Sequence, residues 1–373
     1  MRYVCADFEM CGIRAMSSSQ REPSTRVSCV TAYPHKIPSP RVRIADFAPH
    51  LRPYGVQLDY RPTLTKAEYE DLSSSASPGR KAALLTRAAA RAAVRKPPRH
   101  DLLLIHRLRC LTPVPGLDPP NRLDVYDFDD ALYLGSTSDT NRSFHWAKQE
   151  ARRCRAYLQR ARLVIAGNSF LAEQARKHAR RVEVVPSCVD PSRQQVHEHG
   201  EAETVTVGWI GSPTTSVYLK PVLPVFDRLN AGRLRARLVV VGATTPTRAR
   251  WIEHRSWSLE SECRDLASFD IGIMPLPDTD WARGKCGFKA LQYFAAGIPV
   301  VASPVGVATG LVGDDRGLIA SSTEDWRAAL EGLIRDPLER RQRGANARKF
   351  VESQYSYQTW APHLATMLRS VTR

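Results

Sequence analysis

The segment Gly284-Lys285-Cys286-Gly287-Phe288-Lys289 stands directly before the helix-forming run 290–296, and Gly297-Ile298-Pro299 and the apolar Val300-Val301-Ala302 follow it. A glycine-bearing turn, a helix, a stop and a β-branched strand in that order fit one arrangement, a helix whose N-terminus opens at the edge of a parallel sheet. Gly297 supplies the stop and Pro299 prevents continuation. Glycines let backbone approach a ligand, the first-turn amides have no partner inside the helix, and Lys285 and Lys289 add full positive charge beside them. Such a turn is built for phosphate.

The same alternation runs along the chain. Apolar runs at 27–32, 56–60, 102–105, 123–128, 163–166 and 182–185 read as strands, with helical segments at 42–51, 144–161 and 170–179, which makes one α/β domain with a parallel sheet. Residues 190–203, including His197-Glu198-His199-Gly200, are polar and aperiodic and read as a linker. A second alternation follows, with strands at 205–210, 236–241, 271–274 and 300–302 and helices at 217–229, 259–269 and 288–296. A chain of 373 residues suits two domains, and two lobes imply a cleft. The tail from 338 to 371 is helical in pattern, and its Phe350, Tyr355, Tyr357, Trp360 and Leu364 need a surface to cover.

Hydrophobic content of 43% with 25% charged residues excludes general disorder. The longest apolar stretches, 238–241 and 294–302, fall short of the roughly 20 residues that span a bilayer. Asp7 and Glu9 interrupt the sole apolar candidate near the N-terminus, so the cytoplasm is the expected address and residues 1–24 the expected disordered lead. The eight cysteines (Cys5, Cys11, Cys29, Cys110, Cys154, Cys188, Cys263, Cys286) lack the paired spacing of zinc or redox sites, so free thiols and no metal are expected, with Cys286 a small filler in a tight turn. The net charge of +16, 54 Lys and Arg against 38 Asp and Glu, favours anionic partners. Arginine is spread along the whole chain, so a nucleic-acid surface is not expected. Arg87, Arg91 and Arg95 recur every four residues within 80–95 and share one helix face, either a solvated face or a weak contact for an anionic membrane surface.

Trp257-Ser258-Leu259-Glu260, 269–276 and 281–287 through to Gly306 resemble the donor half of retaining glycosyltransferase family four, in a bacterial-type form. Val205–Gly211 and Val182–Asp190 stand where that family has a strand and its interdomain signature. The resemblance implies the GT-B architecture: α/β, two facing Rossmann-like domains with a cleft between them, and a C-terminal helix packing back across. It divides the chain into an acceptor-side domain at 25–190, a linker at 191–203, a nucleotide-sugar domain at 204–345 and a crossover helix at 346–373. It implies that Lys285, Cys286, Gly287, Phe288 and Gln292 hold the donor, that Gly211 and Ser212 close over its diphosphate, and that Trp257 flanks the base. Lys289 would stabilise the charge developing on the departing diphosphate. Asp129 and Asp130, at the carboxyl end of the strand ending at Phe128, would stabilise positive charge on the sugar or orient the acceptor hydroxyl, while Asp127 is equally a turn or capping residue. Arg41, Arg43 and Arg107 would face the cleft and take diphosphate or an anionic acceptor.

The sequence departs from the common family pattern. Gly284 and Gln292 stand where many members have glutamates, and Ser212-Pro213-Thr214-Thr215 stands where an arginine and a lysine often follow the first donor-domain strand. The expected activity is metal-independent, cofactor-free, retaining transfer from a nucleotide sugar to a hydroxyl of a small polar metabolite or saccharide. The alternatives are a lipid-linked acceptor at the inner membrane surface, a sugar-nucleotide epimerase of the same fold and, from charge alone, a nucleic-acid binder.

Overall fold

The computed structural model describes residues 25–73, 77–94, 99–114, 118–135, 149–231 and 235–372. The expected lead 1–24, Arg95 of the basic stripe and the start of the 144–161 segment lie outside them. Two six-stranded parallel sheets form the molecule, as the alternation predicts. The first contains β1 (Thr25–Thr31), β2 (Val56–Pro62), β3 (Leu102–His106), β4 (Val125–Phe128), β5 (Leu163–Ala166) and β6 (Val182–Val184), in the order β2-β1-β3-β4-β5-β6. The second contains β7 (Val205–Ile210), β8 (Ala236–Val241), β9 (Ile252–Arg255), β10 (Ile271–Met274), β11 (Val300–Ala302) and β12 (Gly317–Ile319), in the order β12-β11-β10-β7-β8-β9. This second order is that of the doubly wound dinucleotide-binding fold, which reverses between β7 and β10 and places ligands at the carboxyl ends there. In the first lobe the order reverses between β1 and β3. The edge strands β9 and β12 escape the sequence reading because the first is half polar and the second has three residues.

Each sheet is covered on both faces, which suits its near-continuous apolar strands. In β7, Val205, Val207 and Trp209 enter one core with the Leu223–Asn230 and Thr323–Arg335 helices, while Ile210 enters the other with the Phe288–Ala295 helix. In the first lobe, Tyr126, Phe128, Val164 and Ala166 pack against the Glu150–Arg160 and Ser169–Arg176 helices. The opposite face, from Val27, Cys29, Val125, Leu163 and Ile165, is closed by the end of the chain.

That closure explains the aromatic tail. The Pro337–Gln354 helix starts at Asp336, whose carboxylate accepts the Leu338 and Glu339 amides at 2.9 Å, and it buries Ala347 and Val351 in the second lobe with Phe350 and Tyr355 beside them. The chain then crosses between lobes through Val189 N–H to Tyr355 O at 3.0 Å and Tyr357 N–H to Val189 O at 3.2 Å. The Tyr357–Thr372 helix buries Tyr357, Ala361, Leu364, Ala365, Leu368 and Val371 in the first lobe, where Tyr357 Oη donates to Val42 O at 3.1 Å. The basic stripe is not a free row of charge: in the Pro78–Val94 helix, Arg91 turns onto Glu68 at 2.6 Å and Thr63 O at 2.8 Å.

Candidate active site at the lobe interface

The Phe288–Ala295 helix is pinned to the point where the second sheet reverses. Tyr293 Oη accepts the Ile210 amide at 3.1 Å and donates to Ile273 O at 3.5 Å, tying the helix to the ends of β7 and β10. One turn earlier on the same face stands Lys289. Gly287 begins the helix at φ +67°, and a Cβ there would lie 2.3 Å from Leu311 Cδ1, so backbone shape and packing both demand glycine. The sequence reading assigned that glycine to ligand approach alone. The amides of Phe288, Lys289 and Ala290 have no acceptor among the described residues.

Lys289 Nζ lies 5.2 Å from the centre of the Trp209 ring and has no carboxylate partner among the described residues. Burial pushes its ammonium down to about 8, the neighbouring Lys285 charge adds to the fall, and Asp130 opposes it. Gly211 follows β7, and a Cβ on it would come within 3.0 Å of Lys289 Cε, so backbone and lysine share one small space. Ser212 is exposed, its Oγ 2.9 Å from Thr214 Oγ1. Gln292 is 5% exposed and its side chain has no hydrogen-bond partner among the described residues. The Phe288 ring packs against the core, so only its amide is offered to a ligand.

The rest of the turn touches the other lobe. Lys285 Nζ bonds Asp130 Oδ1 at 2.7 Å and lies 5.1 Å over the Trp281 ring. Cys286 Sγ donates to Asp129 O at 3.3 Å, and burial raises its thiol strongly, which fits the filler reading and not a reactive thiolate. Asn168 donates to the carbonyls of Gly284 and Lys285 at 3.0 and 3.1 Å while its Oδ1 caps the next helix at Leu171 N. Asn168 was missed by the sequence reading, although an asparagine before a helical run is a capping signal.

The first-lobe candidates meet here as paired charges. Arg43 is 3% exposed and clasps Asp127 through Nε at 3.2 Å and Nη2 at 2.5 Å, and His106 Nδ1 holds the same carboxylate at 2.6 Å. Arg107 binds Asp129 at 2.6 Å and also bonds Asp130. Burial alone would raise the Asp129 carboxyl, but Arg107, with His106 and Arg43 behind it, holds it well below the usual range. Arg41 does not open onto a cleft: it is 6% exposed and forms a forked pair with Glu262 at 3.0–3.1 Å across the lobes. Glu262 also accepts Trp257 Nε1 at 2.9 Å, with Arg41 5.9 Å from the Trp257 ring. Arg41, Arg43 and Arg107, expected as free anion binders, are therefore neutralised, and Lys289 with the three first-turn amides is the unsatisfied positive element of the site.

The segment that bears this turn is the part matched by a known family: residues 226–366 fit the family described as glycosyl transferase-like. That segment is similar to glycosyltransferases, and the chain as a whole has the GT-B fold. Solved structures agree in fold over nearly the whole chain. Sucrose-phosphate synthase from Thermosynechococcus elongatus superposes with a TM-score of 0.68 at 12% identity, covering 93% of this chain and 99% of that one. WaaG, a glycosyltransferase involved in lipopolysaccharide biosynthesis, gives 0.60 at 14% identity over 92% and 99%. Anabaena HepE, solved with UDP and glucose, gives 0.59 at 14% identity over 93% and 100%. At such identities the likeness is one of fold. Comparison with curated proteins gave no match. No helix among the described residues is long and apolar enough to cross a membrane.

Proposed function

We propose that this chain is a glycosyltransferase that takes a sugar from a nucleotide diphosphate sugar, with retention and without a catalytic metal, and delivers it to a hydroxyl of a small polar metabolite or saccharide in the cytoplasm. One observation carries the reading: three unpartnered amides and an unpaired, partly desolvated ammonium converge at the end of β7, where a diphosphate would satisfy them all. As the sugar–oxygen bond breaks, its electron pair moves onto the diphosphate, and Lys289 and the amides stabilise that charge. The acceptor oxygen bonds to the same face of the sugar carbon and its proton passes to a diphosphate oxygen. The engagement of Asp127, Asp129 and Asp130 by Arg43, His106, Arg107 and Lys285 supports a role for these carboxylates as fixed negative charge beside the sugar and not as nucleophile or base. Lys285 would exchange Asp130 for the diphosphate on donor binding. Gln292 supplies a neutral acceptor for a ribose hydroxyl, Trp257 borders the base, and Gly211 and Ser212 lie over the phosphates.

The bound UDP and glucose of the HepE neighbour support placing uridine diphosphate first in a panel with guanosine, thymidine and adenosine diphosphates. The expected result is a rise in melting temperature with one of them; no shift with any at millimolar concentration contradicts the donor reading. Product analysis by nuclear magnetic resonance tests the stereochemistry, with the donor's anomeric configuration expected in the product and its inversion contradicting retention. The capture of Arg91 by Glu68 removes part of the stripe that motivated a membrane acceptor, so the small polar acceptor is favoured.

A further inference from the structure

Away from the donor turn, the linker brings two histidines against the start of β10. His197 Nδ1 lies 2.8 Å from Ala267 O and His199 Nε2 lies 2.8 Å from Gly297 O. Carbonyls accept only, so each ring carries a proton on that nitrogen; the Asp270 carboxylate also only accepts, so His197 donates from Nε2 as well and pairs with it as an imidazolium, while His199 keeps its lone pair on Nδ1. His197 Nε2 lies 3.0 Å from Asp270 Oδ1, and His199 Nδ1 is buried with no hydrogen-bond partner, in a residue 5% exposed. One ligand-capable atom from each of His197, His199 and Asp270 lies within 4.8 Å of the others. Asp270 is itself oriented by the Thr206 amide, 2.8 Å from Oδ2. A divalent cation that displaces the Nε2 proton between His197 and Asp270 would keep that charge pairing and also satisfy the buried lone pair of His199. Imidazoles fixed by backbone carbonyls through their far nitrogen are the usual support of metal-ligating histidines.

We propose that His197 Nε2, His199 Nδ1 and Asp270 bind a divalent transition-metal ion, zinc by preference, in a structural site at the interlobe linker. Two imidazoles and a carboxylate suit a tetrahedral zinc whose fourth position is left to water. Ligand atoms about 2.0–2.1 Å from zinc stand about 3.3 Å apart, so small side-chain rotations from the present spacing suffice. Arg340, whose charge acts on the cluster, is turned onto the carbonyls of Leu333, Ile334 and Gly200, and Arg341 donates to His199 O at 2.7 Å. The site would fasten the linker to the C-terminal end of the Phe288–Ala295 helix through Gly297, about 12 Å along that helix from the donor turn at 1.5 Å per residue. It therefore lies apart from the metal-independent chemistry proposed above, and glycosyl transfer is not its readout.

The full chain is stripped with a chelator, freed of it, and titrated with Zn²⁺ and with Co²⁺ as a coloured probe. The expected results are one equivalent of retained zinc, a higher melting temperature and the strong visible absorption of tetrahedral cobalt. His199→Gln keeps a donor for Gly297 O and Asp270→Asn keeps an acceptor for the Thr206 amide; each is expected to weaken metal binding by ~10–100-fold or more. Sub-stoichiometric zinc, no cobalt absorption, or variants that bind as the wild type does would each overturn the site. If a variant does not fold, the cobalt spectrum of the wild-type chain decides alone.

Discussion

Lys289 is held in an environment that works against its charge, and this gives it a measurable signature. Its ammonium titrates at about 8 against an ordinary 10.5. Below about pH 8 it is charged and ready for diphosphate; above, the charge is lost, so affinity should fall as pH rises through that range. A pH series of nucleotide titrations should show the fall in the wild type and not in Lys289→Met. Between the two values the unfolded chain binds more protons than the folded one, so this group's contribution to stability rises with pH across that window. Removing the charge should therefore leave the melting temperature unchanged or higher while binding is lost, a pairing that a merely structural lysine would not produce. Gly287 makes the converse case. Gly287→Ala forces a side chain into φ +67° and against Leu311, and should destabilise the fold by about 1–3 kcal/mol in a denaturant titration.

At the scale of the element, the Phe288–Ala295 helix was legible because its signals are local. The turn glycine, the lysines, the Gly297 stop and the strand after Pro299 lie within twenty residues of one another and leave little choice of structure. What holds the helix in place was not legible. Tyr293 reads as one more apolar residue on the buried face, yet its hydroxyl joins β7 and β10. Tyr293→Phe leaves the buried Ile210 amide without a partner and should cost about 1–3 kcal/mol. It should also weaken diphosphate binding, since Lys289 rides on the same face; calorimetric titration and denaturation of the one variant check both. Arg41 and Arg43 were legible as arginines near the interface, but nothing in a sequence distinguishes a free guanidinium from one consumed by Glu262 or Asp127, residues separated from them by 221 and 84 positions.

Across the whole molecule the lobes are joined by charge at the front and by chain at the back. The Arg41–Glu262 pair spans the interface with side chains 7% and 9% exposed. Arg41→Ala strands a buried carboxylate and should destabilise by about 3–5 kcal/mol, whereas replacing both residues with Met and Leu should recover much of that loss. Denaturant midpoints of the single and double variants test this. The Tyr357–Thr372 helix is a component of the first lobe's core supplied by the far end of the chain. The aromatic tail announced a buried surface, but which lobe it covers depends on the Val189–Tyr355 crossing, a contact between distant segments that sequence pattern does not encode.

The central claim is that a nucleotide's diphosphate is captured by Lys289 and the amides that open the Phe288–Ala295 helix. Calorimetric titration of the wild type and Lys289→Ala with the four nucleoside diphosphates, and with the nucleoside of whichever binds, tests it most directly. The account predicts that one diphosphate binds the wild type, that its nucleoside binds much more weakly, and that the variant loses ~10-fold or more of the diphosphate affinity, the effect of removing a charge-assisted contact. Equal affinity in the variant, or equal affinity for nucleoside and diphosphate, would contradict it.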